Sequence, residues 1–203
     1  MKHIVVLVGV ALMAGGCGRH EDEQKAATFN VEAVTDVPPA RPAPPDKAAL
    51  LPPFDPPVPG APGGLPNDDR QIIAAPFPVD SLAAAADTVQ RYYAALEKGD
   101  VRNAYALWGD HGRAYGKDEA GFARDLADYS EYHANIGHPG RIDAGAGQRY
   151  VTIPVQPYVR DRATKQPRYF IGTVTLHSTA VDGATAEQRR WHIQAIDLKP
   201  VIR

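Results

Sequence analysis

The chain has 203 residues, 22 Lys and Arg against 24 Asp and Glu, a formal net charge of −2 and a single cysteine. Near-neutrality leaves no electrostatic footprint for nucleic acid. One cysteine excludes an internal disulfide and a paired-cysteine metal or redox motif, and the length fits one modest domain with extensions.

The first sixteen residues, MKHIVVLVGVALMAGG, precede Cys17. Lys2 gives a positive start, Ile4 to Met13 form a short uncharged apolar run, and Ala14, Gly15 and Gly16 make a small-residue exit. A spanning helix needs about 20 apolar residues, so this segment reads as a secretory signal, residues 1–16. Cys17 at its end resembles the bacterial lipoprotein lipobox, with Ala14 where Leu is more usual. That resemblance implies cleavage before Cys17 and lipidation of its thiol. Each buried methylene contributes about 0.8 kcal/mol and one chain anchors only marginally; the three chains usual on such a cysteine would make attachment permanent. The implied location is periplasmic and lipid-anchored. Gly18 rather than Asp favours the outer membrane over the inner. The alternative is an ordinary secretory signal in which Cys17 is incidental.

Residues 17–79 read as a lipidated N-terminus and a disordered tether. His20, Glu21, Asp22 and Glu23 open it, and fourteen prolines follow between Pro38 and Pro78. Proline fixes φ and removes an amide donor, so neither a helix nor a central strand is expected. The composition predicts a spacer, part polyproline II and part coil, with a protease-resistant core beginning near Pro78.

From 80 to 203 the texture is that of a folded domain. Asp80 or Ser81 caps a helix carrying Leu82, Ala85, Ala86, Val89, Tyr93 and Leu96 at helical spacing, and Gly99 ends it. Asp100 caps a shorter helix with Val101, Ala104, Tyr105 and Trp108. After Gly109, Gly112 and Gly116, a third helix is expected near Asp118–Asp128. The period then changes to two. Strands are expected at about Tyr132–Ile142, broken near Gly137–Gly140, then Gln148–Arg160, Arg168–Thr179 and Arg189–Leu198, with Asp161–Pro167 and Asp182-Gly183 as hairpin loops. Helices followed by consecutive antiparallel strands predict an α+β class, three N-terminal helices packed on one sheet face. Trp108, Phe122, Val151, Ile153, Phe170, Val174 and Trp191 are the expected core.

The run Tyr92-Tyr93-Ala94-Ala95-Leu96-Glu97-Lys98-Gly99-Asp100-Val101, continuing to Trp108, resembles the opening of a nuclear transport factor 2-like (SnoaL-like) domain. Arg190-Trp191-His192-Ile193-Gln194-Ala195-Ile196-Asp197-Leu198 resembles that superfamily's last strand. The resemblance covers roughly 80–200 and extends to uncharacterised lipoproteins of this type. It implies a cystatin-like cone, a curved sheet around a long helix with a pocket at the open end. It also implies a homodimer through the sheet. The superfamily contains isomerases, dehydratases, hydrolases and non-enzymatic binders, so the fold leaves function to the site. The strand usual between its second and third helices is missing or very short here.

Tyr93, Trp108, Phe122, Tyr129, Ile153, Phe170 and Trp191 are the expected pocket lining. An isomerase would need a carboxylate base in an apolar pocket with proton donors facing it. Tyr92, Tyr93, Tyr105 and Tyr129 supply phenols, Asp128 and Asp197 carboxylates, and Asp197 shares the strand parity of Trp191 and Ile193. A dehydratase would pair His133 with His177 or His192. No orienting partner is legible for any of them. The chain has no HExxH, His-x-His or GxSxG motif, so no metal, cofactor or serine nucleophile is expected. Arg149, Arg160, Arg162, Lys165 and Arg168 cluster in one hairpin with only Asp161 opposing. They are the candidate contact with an anionic envelope surface. Two functions stand together: a membrane-anchored, non-enzymatic module binding an envelope protein, a glycan or a small apolar ligand; or a small hydrolase, isomerase or dehydratase with a Tyr/Asp/His constellation in the pocket.

Overall fold

The computed structural model describes residues 50–68, 70 and 76–202. They belong to one compact unit, Lys47–Arg203. The signal segment, Cys17 and residues 18–49 lie outside the described residues.

Helix α1 spans Leu82–Glu97. It starts where the Ser81 side chain accepts from the Ala84 amide, and it ends where Gly99, at φ +70°, turns the chain out. Asp100 caps α2, Val101–Ala106, and Asp118 caps α3, Glu119–Leu126. Between α2 and α3 there is no strand. Trp108 forms one parallel bridge with Ile193, and a short 3-10 turn covers Arg113–Tyr115.

Five strands follow: β1 Tyr129–Ile136, β2 Asp143–Gly145, β3 Gln148–Asp161, β4 Pro167–Thr179 and β5 His192–Pro200. They form one curved antiparallel sheet in the order β1-β3-β4-β5, with β2 beside β3. The α+β class, the three helices and the antiparallel sheet are as expected from the sequence. Strand β2 is an addition to that expectation. It pairs with β3 through a tight turn in which Ala146 and Gly147 both have positive φ, the hairpin geometry that matches strand twist.

Alternation along β3 sends Val151, Ile153 and Val155 to the helices, where they meet Val174, Leu176 and Ile193; all are at most 1% exposed. Trp108, Phe122 and Trp191 are also buried. Phe170 is only half-buried, which corrects its place among the expected core residues. It stands near the start of β4, where the β3–β4 ladder lapses at Gln156 and Pro157 between the pairs Val155–Gly172 and Tyr158–Tyr169. A proline there has no amide to donate.

A register shift between β4 and β5 corrects a second expectation. Leu176 pairs with Ile193 but Thr175 pairs with Ala195, so one extra residue lies on β5. Parity reverses past that bulge. Ile196 and Leu198 turn to the helix side, and Asp197, expected inward with Trp191 and Ile193, is exposed.

The proline-rich segment departs furthest from its expected role. Residues 50–67 are no free tether; they lie as a strap on the face of the sheet opposite the helices. Phe54 sits edge-on to His133 and Tyr158, with the Arg160 guanidinium 4.4 Å above its ring. The Gln156 amide donates to Pro57 O at 2.8 Å and Gly63 O at 3.0 Å; Arg160 donates to Pro52 O at 3.0 Å. The Asp55 amide donates to the Tyr169 hydroxyl, and Leu65 is 7% exposed. Proline lacks a donor but keeps its carbonyl, and its fixed φ lowers the entropy lost on docking. A donor-rich strand face therefore suits such a segment.

Candidate functional site

A cavity of about 300 Å³ lies between α1, α3 and the sheet. Seven aromatic rings line it: Tyr92 and Tyr93 from α1, Trp108 from the bridge, Tyr115 from the 3-10 turn, Tyr129 and Tyr132 from β1, and Phe170 from β4. Leu96, Leu126, Pro157, Val159, Ile196 and Leu198 complete the wall. None of these residues carries a carboxylate or an imidazole.

Helical spacing places Tyr92, Tyr93 and Leu96 on the buried side of α1. Tyr92 and Tyr93 meet edge-to-face at 5.0 Å, and Trp108 stands edge-on to Tyr115 at 5.0 Å. Burial pushes the Tyr92 and Tyr93 phenols well above their ordinary range, so both stay protonated at any physiological pH. The Tyr93 hydroxyl is buried without a hydrogen-bond partner. The Trp108 indole N–H is close enough to ease the rise of the Tyr92 phenol but also lacks a bond of proper geometry. Buried polar groups without partners are uncommon and cost about 1–3 kcal/mol each. The phenols of Tyr132 and Tyr115 are satisfied. Tyr132 donates to Leu126 O at 2.7 Å and Tyr115 donates to Asp125 Oδ2 at 2.6 Å.

Of the expected lining, Tyr93, Trp108, Tyr129 and Phe170 face this cavity. Phe122 packs behind Tyr115 at 4.8 Å, Ile153 is sealed in the core, and Trp191 closes the other end of α1, its indole donating to Ser81 O. Tyr115 joins the wall without having been expected there, although an aromatic between Gly112 and Gly116 is a usable signal.

The expected catalytic set does not assemble in the cavity. Asp128 is exposed, and Tyr105 donates to Lys117 O. His133 lies on the strap side, stacked on Tyr158 with Nδ1 2.9 Å from Glu97 Oε1. His177 and His192 do meet, as a cross-strand pair on β4 and β5. They line a separate polar crevice of about 560 Å³ with His111, Asp110, Arg113 and Glu187. His192 Nε2 is 3.3 Å from Glu187 Oε1, and His177 Nε2 bonds Gln148 Oε1. Burial, then His192, holds the His177 imidazole below its ordinary value. Among the described residues no three His, Cys, Asp or Glu side chains are grouped to hold a metal, and no helix is long and apolar enough to cross a membrane.

The basic hairpin is less exposed than its composition suggests. Arg160 is 4% exposed; besides the strap it bonds Glu131 at 2.8 Å and Lys165 O at 3.1 Å. It cannot also meet a surface, which corrects its place in the candidate contact set. Arg149 pairs with Asp80 at 2.8 Å. Arg162 donates to Ala127 O and Tyr129 O, closing the C-terminal end of α3, where a cation is favourable. Arg168 reaches Asp161 at 3.4 Å. Arg162, Lys165 and Arg168 are exposed.

No protein-family model matches the chain, and no curated protein matches it. Solved structures do. A nuclear transport factor 2 (NTF2-like) superfamily protein from Salmonella enterica serovar Typhimurium is 10% identical, covers 58% of this chain and 89% of its own, and has a TM-score of 0.42. A ketosteroid isomerase-like protein from Erwinia carotovora is 13% identical, covers 60% of this chain and 97% of its own, at a TM-score of 0.41. Likeness at that level carries no activity with it.

Proposed function

We propose that the domain is a non-enzymatic binding module. Its cavity takes a small, uncharged, largely aromatic molecule bearing one hydrogen-bond acceptor. The observation that carries this reading is the Tyr93 hydroxyl, buried and without a partner, on a residue that lines the aromatic-walled cavity. An acceptor atom there would gain the bond that the fold leaves open, and the rings supply the apolar contact that small-molecule sites use. A charged ligand would find no counter-ion in the wall.

The test is a matched pair, 1-tetralone and its hydrocarbon counterpart tetralin, titrated against the full chain by tryptophan fluorescence. Tetralone should bind about tenfold tighter, the worth of one well-made hydrogen bond, and the preference should vanish in Tyr93→Phe. Equal affinities in the wild type contradict the reading.

The module is proposed to work in the cell envelope, periplasmic and held by a lipid on Cys17, with Gly18 favouring the outer membrane. The docked strap leaves residues 18–49 to span from anchor to domain. Cys17→Ala should release the protein from membranes; a variant that sediments with them as tightly as wild type refutes the anchor. Arg162, Lys165 and Arg168 are the groups left for an anionic envelope surface.

A second reading is favoured by the His177–His192 pair beside Glu187: acid–base chemistry in the polar crevice rather than in the cavity. His192→Ala would then abolish a hydrolase, isomerase or dehydratase activity that Tyr93→Phe leaves intact.

A further inference from the structure

We infer that the 3-10 turn Arg113–Tyr115 is a hinged wall of the cavity, latched by Tyr115, Asp125 and Lys117, and that this latch sets how fast a ligand enters and leaves. The inference rests on the cavity being a binding site, as proposed above.

The wall is built unlike the rest. Every other lining residue stands on an α-helix, on a strand or at the Trp108–Ile193 bridge. Tyr115 alone stands on a three-residue turn. Gly112 at φ +93° and Gly116 at φ +87° flank that turn. Just before it, Asp110 and His111 are left-handed as well, at φ +53° and +56°. Non-glycine residues rarely adopt this conformation, and it tends to mark switch segments. A Cβ at Gly116 would meet nothing within 4 Å, so the exit side of the turn has room to move.

The latch is a single carboxylate. The Tyr115 hydroxyl donates to Asp125 Oδ2 at 2.6 Å, and Lys117 Nζ donates to both Asp125 oxygens, at 2.8 and 2.6 Å. These bonds tie the turn to α3, with the Tyr115 ring wedged between Trp108 and Phe122 at 5.0 and 4.8 Å. Releasing the hydroxyl frees the ring to leave Trp108, which opens the cavity on the Tyr115 side. Charge assistance makes the latch firm. Its partial exposure lets water compete for it.

Stopped-flow binding of 1-tetralone to the full chain tests this. Tyr115→Phe keeps the ring and removes the latch oxygen. Association and dissociation should both quicken about tenfold, the loss of one hydrogen bond to a charged group. Asp125→Asn should act in the same direction and less, because its amide oxygen still accepts. Unchanged rates in both variants, or a change in dissociation alone that alters Kd, overturn the latch and leave the cavity reading standing. No binding of tetralone to the wild type overturns the cavity reading and the latch with it.

Discussion

On the strap side of the sheet, Gln156 and Arg160 are 1% and 4% exposed, and both are fully engaged, by Pro57, Gly63 and Asn135 for one and by Pro52, Lys165 and Glu131 for the other. On the helix side, Tyr93 and Trp108 are as deeply buried, at 6% and 5%, and their donors meet no acceptor of proper geometry. The same sheet thus buries polar groups in two ways. The strap side uses them to fix where a proline-rich segment lies. The helix side leaves them without a partner among the described residues, as it also leaves the buried Ser178 hydroxyl, and the proposed ligand would bring an acceptor to the Tyr93 one.

The contrast can be broken by substitution. Trp108→Ala should have the largest effect, a loss of about 3–5 kcal/mol in chemical unfolding, because its buried ring packs between Tyr92 of α1 and Tyr115 of the 3-10 turn. A loss below about 1 kcal/mol would show that this junction does not hold the core. Arg160→Ala should follow at about 2–3 kcal/mol, since it strands the Pro52 and Lys165 carbonyls and removes the cation over Phe54. Proteolysis within residues 50–67 should quicken in that variant. A strap that stays resistant would mean its other anchors suffice.

A smaller effect comes from pH. The His177 imidazole is held below its ordinary value by burial and by His192, with Gln148, Tyr150 and Glu187 also around the pair. The unfolded chain therefore binds more protons than the folded one just below about pH 6.5. The contribution of this group is complete above that pH and is lost as pH falls through the folded value. His177→Gln should flatten the fall in stability below about pH 6.5. An unchanged slope would assign the fall to other groups.

Much of the scaffold is legible in the chain. Ser81 and Gly99 mark both ends of α1, and alternation along β3 and β4 identifies Val151, Ile153, Val174 and Leu176 as the inward set. What is not legible depends on distant partners. Gln156 takes its carbonyls from Pro57 and Gly63, more than ninety positions away, so proline content alone reads as a spacer. Arg160 reads as surface charge for the same reason. Asp197 is misplaced by one extra residue on β5, which no alternation pattern announces. Tyr93 is visible in the sequence as one of several phenols, but its want of a partner is a property of the packed cavity and exists only in three dimensions.

The Tyr93 hydroxyl, on this account, contributes nothing to the fold and is kept for a ligand. The most direct test is the unfolding free energy of Tyr93→Phe without ligand, beside Gln156→Leu as the strap-side control. Gln156→Leu should lose about 1–3 kcal/mol. Tyr93→Phe should be no less stable than wild type, and up to about 1 kcal/mol more stable, because an unpaired buried hydroxyl is removed. A loss of about 1 kcal/mol or more in Tyr93→Phe would contradict the account, since it would mean that the hydroxyl already has its partner within the protein.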